Sequence, residues 1–292
     1  MERRSEGLAL EPLWHAPETA PVDGAAVRGG WLPPALAARF AGELAMPLLS
    51  ERPTIVANFV STVDGVVALG PSEPAAGGGE ISGFSDADRF MMALLRGLAD
   101  VVVVGAGTLR VGTRHRWTAP YLFPALAADF AAWRADLGLA LQPTLIVVSA
   151  SGNVDPNHPG LSAPDVPAIV ATTPAGAARL DARPLPANLS VAAVGVDGRV
   201  PAGAILELVR GTGARLALCE GGPHLFGELL RAHLIDELFL TVAPQIVGRD
   251  AAAQRLALVE GTAFGGGQGR WSKLVAVRRA GDDLFLRYRL ER

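Results

Sequence analysis

Three short segments carry residue types at spacings that suit chemistry on a bound ligand. In Val101-Val102-Val103-Val104-Gly105-Ala106-Gly107-Thr108, an apolar strand runs straight into two glycines and a hydroxyl. Glycine lets backbone N–H groups come close to a ligand. A Rossmann fingerprint needs a third glycine where Arg110 stands, so spacing alone does not give that motif. In Leu218-Cys219-Glu220-Gly221-Gly222-Pro223-His224-Leu225, a strand again meets paired glycines, with Pro223 at the expected first position of a helix. The unpaired amides of such a helix start would face a diphosphate. Ser61-Thr62-Val63-Asp64-Gly65 ends a strand with hydroxyls and a carboxylate, although Asp-Gly is also ordinary turn chemistry. Two glycine turns far apart in sequence can share the C-terminal edge of one sheet, where α/β proteins bind ligands.

Composition narrows the chemistry. Lys273 is the only lysine, so no glycine loop ends in the Gly-Lys-Ser/Thr of a P-loop hydrolase, and Schiff-base catalysis is disfavoured. His15, His115, His158, His224 and His233 form no pair at metal-ligand spacing, and no metal is expected. The single cysteine, Cys219, lies in an apolar run and reads as a buried thiol in a reducing cytoplasm. A formal net charge of -3 with scattered arginines argues against a nucleic-acid surface. The most apolar stretches, 101 to 104 and 145 to 148, fall far short of the roughly 18 residues that span a bilayer. Glu11 and Pro12 break the apolar run that follows Arg3 and Arg4, so neither export nor a membrane anchor is expected.

These groups need a scaffold, and half of the 292 residues are apolar. Short β-branched runs at 54 to 60, 101 to 104, 144 to 148, 168 to 171, 189 to 194 and 216 to 219 alternate with helical stretches. Those stretches are 85 to 98, 121 to 137, one from Pro174, and 201 to 211, the order of an α/β fold. Ser85 with Asp88 three residues on marks a helix start, and Phe90, Ala93, Leu94 and Gly97 share one helical face. Near the C-terminus 237 to 243 is strand-like, and 274 to 277 and 284 to 290 flank an Ala280-Gly281-Asp282 turn. This predicts an antiparallel hairpin with Leu284, Leu286, Tyr288 and Leu290 on the core and Arg287 and Arg289 in water. The expected sheet is mixed and mostly parallel. Residues 1 to 51, with one helix over 34 to 44, read as an N-terminal extension, and 52 to 292 as the main domain. Glycine runs at 77 to 79 and 265 to 267 read as mobile loops.

The segments Asn58-Phe59-Val60-Ser61-Thr62-Val63-Asp64-Gly65, Ile81-Ser82-Gly83 and Leu95-Arg96-Gly97-Leu98-Ala99-Asp100, with the two glycine turns, form a recognisable set. So does the continuation Leu229-Leu230-Arg231-Ala232-His233-Leu234-Ile235-Asp236-Glu237-Leu238 through Ala243-Pro244. In this order, over residues 53 to 290, the chain resembles the reductase domain of bifunctional riboflavin biosynthesis enzymes. The resemblance implies a dihydrofolate-reductase-like fold, a three-layer α/β/α sandwich, usually a homodimer that uses NADPH. It implies that Ser61 and Asp64 border the nicotinamide. Gly105, Gly107 and Thr108, with Gly221, Gly222, Pro223, His224, Leu225 and Phe226, would hold the cofactor's ribose and diphosphate. Glu220 would face the substrate and Arg96 would touch it. With one cysteine the chain cannot carry the zinc deaminase domain, so it resembles the freestanding pyrimidine reductases. Where many members read Asp-Asp/Asn-Pro after the glycine turn, this chain has Val111-Gly112-Thr113-Arg114-His115-Arg116, which leaves the substrate open.

The activity implied is reduction of 5-amino-6-(5-phosphoribosylamino)uracil to its ribitylamino form, with hydride delivered to the sugar C1′. The protein would hold the reactants together and supply a proton, with Asp64 and Glu220 as candidates. Arg96 and Arg110, ahead of Arg114 and Arg116, are the expected ligands of the substrate phosphate. Ser149, Ser151 and Thr172 are hydroxyls expected to meet a cofactor 2′-phosphate. Two other readings stay open: a dihydrofolate/pterin-type or other imine reductase on the same fold, and an NADPH-binding protein without turnover.

Overall fold

The computed structural model describes residues 6–16, 26–70, 78–250 and 254–291. Its strands are β1 (Glu11–His15), β2 (Ala26–Trp31), β3 (Glu43–Leu48), β4 (Thr54–Thr62), β5 (Val66–Ala68), β6 (Val101–Gly105) and β7 (Thr144–Val148). They continue as β8 (Ala168–Thr172), β9 (Leu189–Ala193), β10 (Leu216–Cys219), β11 (Glu237–Ala243), β12 (Leu256–Ala257), β13 (Ser272–Ala280) and β14 (Asp283–Leu290). Ten of them make one sheet in the order β1-β13-β14-β11-β4-β10-β6-β7-β8-β9. The run from β11 to β9 is parallel, and the β13–β14 hairpin adds antiparallel to β11. The mixed, mostly parallel sheet with a C-terminal hairpin is therefore the one expected.

The helices are α1 (Pro34–Ala37), α2 (Gly78–Ile81), α3 (Asp86–Leu98), α4 (Ala106–Val111), α5 (Ala119–Leu122) and α6 (Ala127–Asp136). After them come α7 (Pro159–Ser162), α8 (Pro174–Asp181), α9 (Ala202–Gly211) and α10 (Pro223–Arg231). Strand side chains alternate between two covered faces. Val102, Val104, Leu145, Val147 and Leu218 pack with Leu94 and Leu98 of α3 and with Phe130 and Trp133 of α6. Val101, Val103, Ile146 and Cys219 pack with Ile205 and Val209 of α9 and with Phe226 and Leu229 of α10. The result is three layers. Burial pushes the Cys219 thiol up to about 12, in keeping with a core residue. No helix among the described residues is long and apolar enough to cross a membrane.

Helix α3 carries much of the site, and local signals start and stop it. The Ser85 hydroxyl accepts from the Asp88 amide at 3.3 Å, as its spacing predicts. At the other end, Nη1 of the buried Arg134 donates to the carbonyls of Arg96, Gly97 and Ala99 at 2.8 to 3.1 Å, satisfying the last turn. Gly97 is needed for packing, because a Cβ there would stand 2.7 Å from Trp133.

Four expectations differ from the structure, the first being that the stretch 121 to 137 is not one helix but α5, a 3-10 turn over Pro124–Leu126 and α6, broken at Pro124. The helix over 34 to 44 is only the single turn α1; Gly42, at φ +91°, redirects the chain, and Leu44 lies in β3, paired with β2. The glycine run at 77 to 79 is not simply a loop, since Gly78 and Gly79 begin α2, while Gly77 lies outside the described residues. Arg287 is largely withdrawn from water and Arg289 is half-buried. Both pair with Glu237, whose side chain is 1 % exposed, and Arg287 also donates to the Ala45 carbonyl at 2.8 Å. Leu284 is exposed instead, and Phe285 is in the core. Two-residue alternation distinguishes the faces of a strand but not water from a second layer holding a buried carboxylate.

That second layer comes from the N-terminal residues. Leu10, Leu32, Leu36, Phe40, Leu44, Met46 and Leu48 join the same core cluster as α3, and β1 extends the sheet beside β13. The Arg278 guanidinium sits 3.7 Å from the centre of the Phe40 ring and donates to the carbonyls of Leu10 and Ala41. Phe40→Ala should therefore lower the unfolding free energy by about 3–5 kcal/mol, the usual range for a buried phenylalanine. Urea denaturation measures this, and a change of a few tenths would mark residues 1 to 51 as a dispensable appendage.

Candidate active site

Strands β6 and β10 are parallel neighbours, so the two glycine turns leave the sheet side by side at its C-terminal edge. A Cβ built on Gly222 would stand 3.7 Å from the Thr108 hydroxyl of the other turn. Gly105 and Gly222 have φ of −86° and −66°, which any residue adopts. A Cβ on Gly105 meets nothing within 4 Å, and one on Gly107 meets only Arg110 Nη2 at 3.9 Å. Neither backbone strain nor protein packing calls for glycine at these three positions, and a ligand approaching the backbone would. No side chain caps α10, and Pro223 has no N–H, so the amides of His224 and Leu225 are left for an anion at the helix start. This donor-rich cradle fits a diphosphate.

The second turn divides into packing and open surface. Gly221 is required by packing, since a Cβ would lie 2.5 Å from Leu225 Cδ2. Pro223 and Phe226 are buried, Phe226 against the Phe59 ring at 4.9 Å, so Phe226 has only its backbone to give a ligand. His224 is exposed and Leu225 half-buried.

Beside the cradle lies a buried ion pair. Arg96 Nε donates to both oxygens of Glu220 at 3.1 Å and Nη2 to Oε2 at 2.6 Å, with side chains 1 % and 7 % exposed. Arg96 Nη1 also donates to the carbonyls of Arg116 and Thr118. Arg96 is thus spent inside the protein and does not present its charge at the surface, where a phosphate would meet it. Removing either partner would strand a buried charge, at about 3–5 kcal/mol.

Asp64 is exposed, and its carboxylate accepts from the Thr62 hydroxyl at 2.6 Å and the Gly248 amide at 2.7 Å. The Thr62 hydroxyl and these amides hold its pKa below the usual carboxylate range, so at neutral pH it is an ionised acceptor pinning the turn at 247–248. Ser61 is buried next to it. Arg110 and Arg114 are exposed at the mouth and make no hydrogen bond or ion pair with other described residues, whereas Arg116 pairs with Asp165. The hydroxyls expected to meet a 2′-phosphate are mostly unable to. Thr172 is fully buried and bonds the Ala150 carbonyl, Ser149 is buried, and Ser151 Oγ accepts from the Asn153 amide. Among the described residues no group of three or more His, Cys, Asp or Glu could hold a metal ion.

Two residues of the site escaped the sequence reading. His115, from the divergent loop, takes a 2.9 Å bond from Arg96 Nη2 at its Nε2, which must be the acceptor because guanidinium only donates. Burial and then the Arg96 charge hold its pKa down to about 2, so the ring is neutral, and it packs edge-on against Trp117 and Tyr121. Asp88 is 3 % exposed and bonds the hydroxyls of Thr241 and Ser82, in the field of Asp283 and Glu220. Its signal was available: Asp88, Met92 and Arg96 follow at i, i+4 and i+8 on one face of α3. His158 fastens the loop from behind, Nε2–H donating to the Gly112 carbonyl and Nδ1 accepting from the Gly160 amide.

Gly222→Asp should abolish binding of a diphosphate cofactor while leaving the melting temperature nearly unchanged, because the turn is open and the new charge opposes phosphate. Gly221→Ala should do the reverse, lowering stability through Leu225. Calorimetric titration with thermal melting reads both, and intact cofactor binding in a folded Gly222→Asp variant would refute the cradle.

Known proteins match this architecture. The RibD C-terminal domain model matches residues 53–283. The 2,5-diamino-6-ribosylamino-4(3H)-pyrimidinone 5′-phosphate reductase of Methanothermobacter thermautotrophicus is 29% identical over 201 residues, 68% of this chain and 82% of that protein. A pyrimidine reductase-like protein from Corynebacterium diphtheriae superposes with TM-score 0.61 at 22% identity, over 82% of this chain and 92% of that one. RibD of Acinetobacter baumannii superposes with TM-score 0.60 at 18% identity, over 83% of this chain and 59% of its own length. With the glycine cradle and the Arg96–Glu220 pair inside the matched residues, the chain belongs to the RibD C-terminal domain family, the pyrimidine reductases of riboflavin biosynthesis.

Proposed function

We propose that this chain reduces 5-amino-6-(5-phosphoribosylamino)uracil to its ribitylamino form with NADPH, as a cytoplasmic homodimer. The observation that carries the reading is the juxtaposition of the two glycine turns with a buried, Arg96-held Glu220 at one sheet edge. A single buried thiol suits a reducing compartment, and the dimer is taken from the resemblance. The archaeal relative's name specifies the diamino-pyrimidinone phosphate, so that compound is the natural second substrate to assay.

The cradle residues Gly105, Gly107, Thr108 and Gly222 would hold the cofactor's diphosphate and ribose, and a nicotinamide bound there supplies hydride. Glu220, fixed by Arg96, keeps lone pairs with which to accept N–H groups of an aminopyrimidine, which orients the sugar C1′ at near-attack distance. Asp64, tied to Thr62 and Gly248, shapes the wall of the nicotinamide side and keeps no proton to give.

For the cofactor's 2′-phosphate, the available cation is Arg179, exposed on α8 and donating to the Ser151 carbonyl at 2.6 Å. Calorimetry should show NADPH binding more tightly than NADH; equal affinities would overturn the preference.

For the substrate's phosphate, Arg110 at the mouth is the proposed ligand, with Arg114 near it, since Arg96 is committed to Glu220. Arg110→Ala should raise KM for the phosphorylated substrate by about 1.5–3 kcal/mol of lost binding, the scale of a charged hydrogen bond, with NADPH affinity unchanged. Steady-state kinetics on phosphorylated and dephosphorylated substrate test this. Equal use of both by the wild type would favour a pterin-type imine reductase, which the divergent loop around His115 would admit.

A further inference from the structure

We propose that His115 is a positioning residue for the reduction, the hydrogen-bond acceptor that keeps the Arg96 guanidinium in register with Glu220 and leaves Glu220 free to hold the pyrimidine. The proposal rests on the reductase reading above, in which Glu220 accepts N–H groups of the substrate. His115 belongs to the 111–116 loop, where this chain departs from the Asp-Asp/Asn-Pro of many such reductases.

The donors of Arg96 are divided among fixed acceptors. Nε serves both Glu220 oxygens at 3.1 Å, and Nη1 serves the carbonyls of Arg116 and Thr118. The hydrogens on Nη2 go to Glu220 Oε2 at 2.6 Å and to His115 Nε2 at 2.9 Å. Met92 Sδ lies 3.1 Å from the same nitrogen, but a thioether is a weak acceptor. Because the Arg96 side chain is buried, a hydrogen that loses its acceptor cannot turn to water. It would turn to the nearest strong acceptor, Glu220, and occupy lone pairs that the substrate needs. His115 thus acts through Arg96, and Glu220 is the group that touches the ligand.

The loop holds the ring where this bond requires it. The imidazole packs edge-on against Trp117 and Tyr121, with ring centres 4.9 and 4.8 Å away, and the His115 amide donates to the Gly112 carbonyl at 2.7 Å. Trp117 is buried over Gly160, where a Cβ would stand 2.7 Å from its ring, and His158 fastens Gly112. Burial opposes a proton on the imidazole, as do the charged and titratable groups that face it, Arg96 and Arg89 of α3 and His158 before α7. The ring is therefore neutral with its hydrogen on Nδ1, the tautomer in which Nε2 accepts.

His115→Phe keeps a ring against Trp117 and Tyr121 but offers no acceptor, whereas His115→Gln brings an amide oxygen to the place of Nε2. The Phe variant should raise KM for the pyrimidine phosphate by about 10- to 100-fold, the size of one hydrogen bond to a charged group. Its kcat and its NADPH affinity should change little, since the contact holds the pyrimidine and touches neither the cofactor nor the reacting carbon. The Gln variant should recover most of the loss. Nitrogen-15 NMR of the wild-type imidazole gives a readout independent of turnover and of any variant's folding. It should show the hydrogen on Nδ1 and no titration between about pH 5 and 8, the range in which an ordinary histidine changes charge. A Phe variant with wild-type KM, a Gln variant as impaired as the Phe variant, or a His115 ring that carries its hydrogen on Nε2 or titrates in that range would each overturn the proposal and leave the reductase reading standing. A wild type that oxidises no NADPH with either pyrimidine phosphate would overturn the reductase reading, and the proposal with it.

Discussion

A guanidinium and a carboxylate removed from water together, Arg96 and Glu220, set the terms for the site around them. Desolvating two charges costs several kcal/mol each before their attraction is counted, so such a pair persists only where the leftover donors are also satisfied. Here they are. The carbonyls of Arg116 and Thr118, Met92 Sδ and His115 Nε2 take the donors that Glu220 does not. The pair therefore ties α3, the end of β10 and the 111–118 loop into one stiff floor, and forces His115 to be neutral.

What lies over that floor follows from sheet order. Because β10 sits between β4 and β6, the glycine turns and the Ser61–Asp64 segment emerge at the same edge. The glycines divide by cause. Gly97 and Gly221 make room for Trp133 and Leu225, whereas Gly105, Gly107 and Gly222 make room for nothing in the protein. Glycine in an ordinary conformation with open space above it is a more specific sign of a ligand than glycine as such.

The far half of the sheet obeys the same rule of buried charge. Glu237 is enclosed by Arg287 and Arg289 beneath a layer built from residues 26–48, and Arg278 is enclosed by Phe40 and the carbonyls of Leu10 and Ala41. The hairpin depends on the N-terminal residues, which cover its buried arginines. Rigidity there supports β11 and β14, which carry Thr241 and Asp283 against the active-site helix.

Much was legible in the amino-acid sequence by itself. Apolar runs placed the parallel strands, Ser85 marked the start of α3, Pro223 and the paired glycines marked the start of α10, and the Ala280 turn joined a hairpin. These are local effects, in which steric and capping preferences act over a few residues. Only the tertiary structure decided which charged groups are spent and which are available. Arg96 reads as a free helix cation until it meets Glu220, 124 positions away, and Arg287 reads as solvated until Glu237 is enclosed. Asp64 and Asp88 differ for the same reason: hydroxyl and amide donors hold one below the usual carboxylate range at the surface, whereas burial, with two carboxylates nearby, pushes the other up to about 7. Periodicity reports which way a side chain faces, but the cost of a charge depends on what stands opposite it, and strand order chooses that partner.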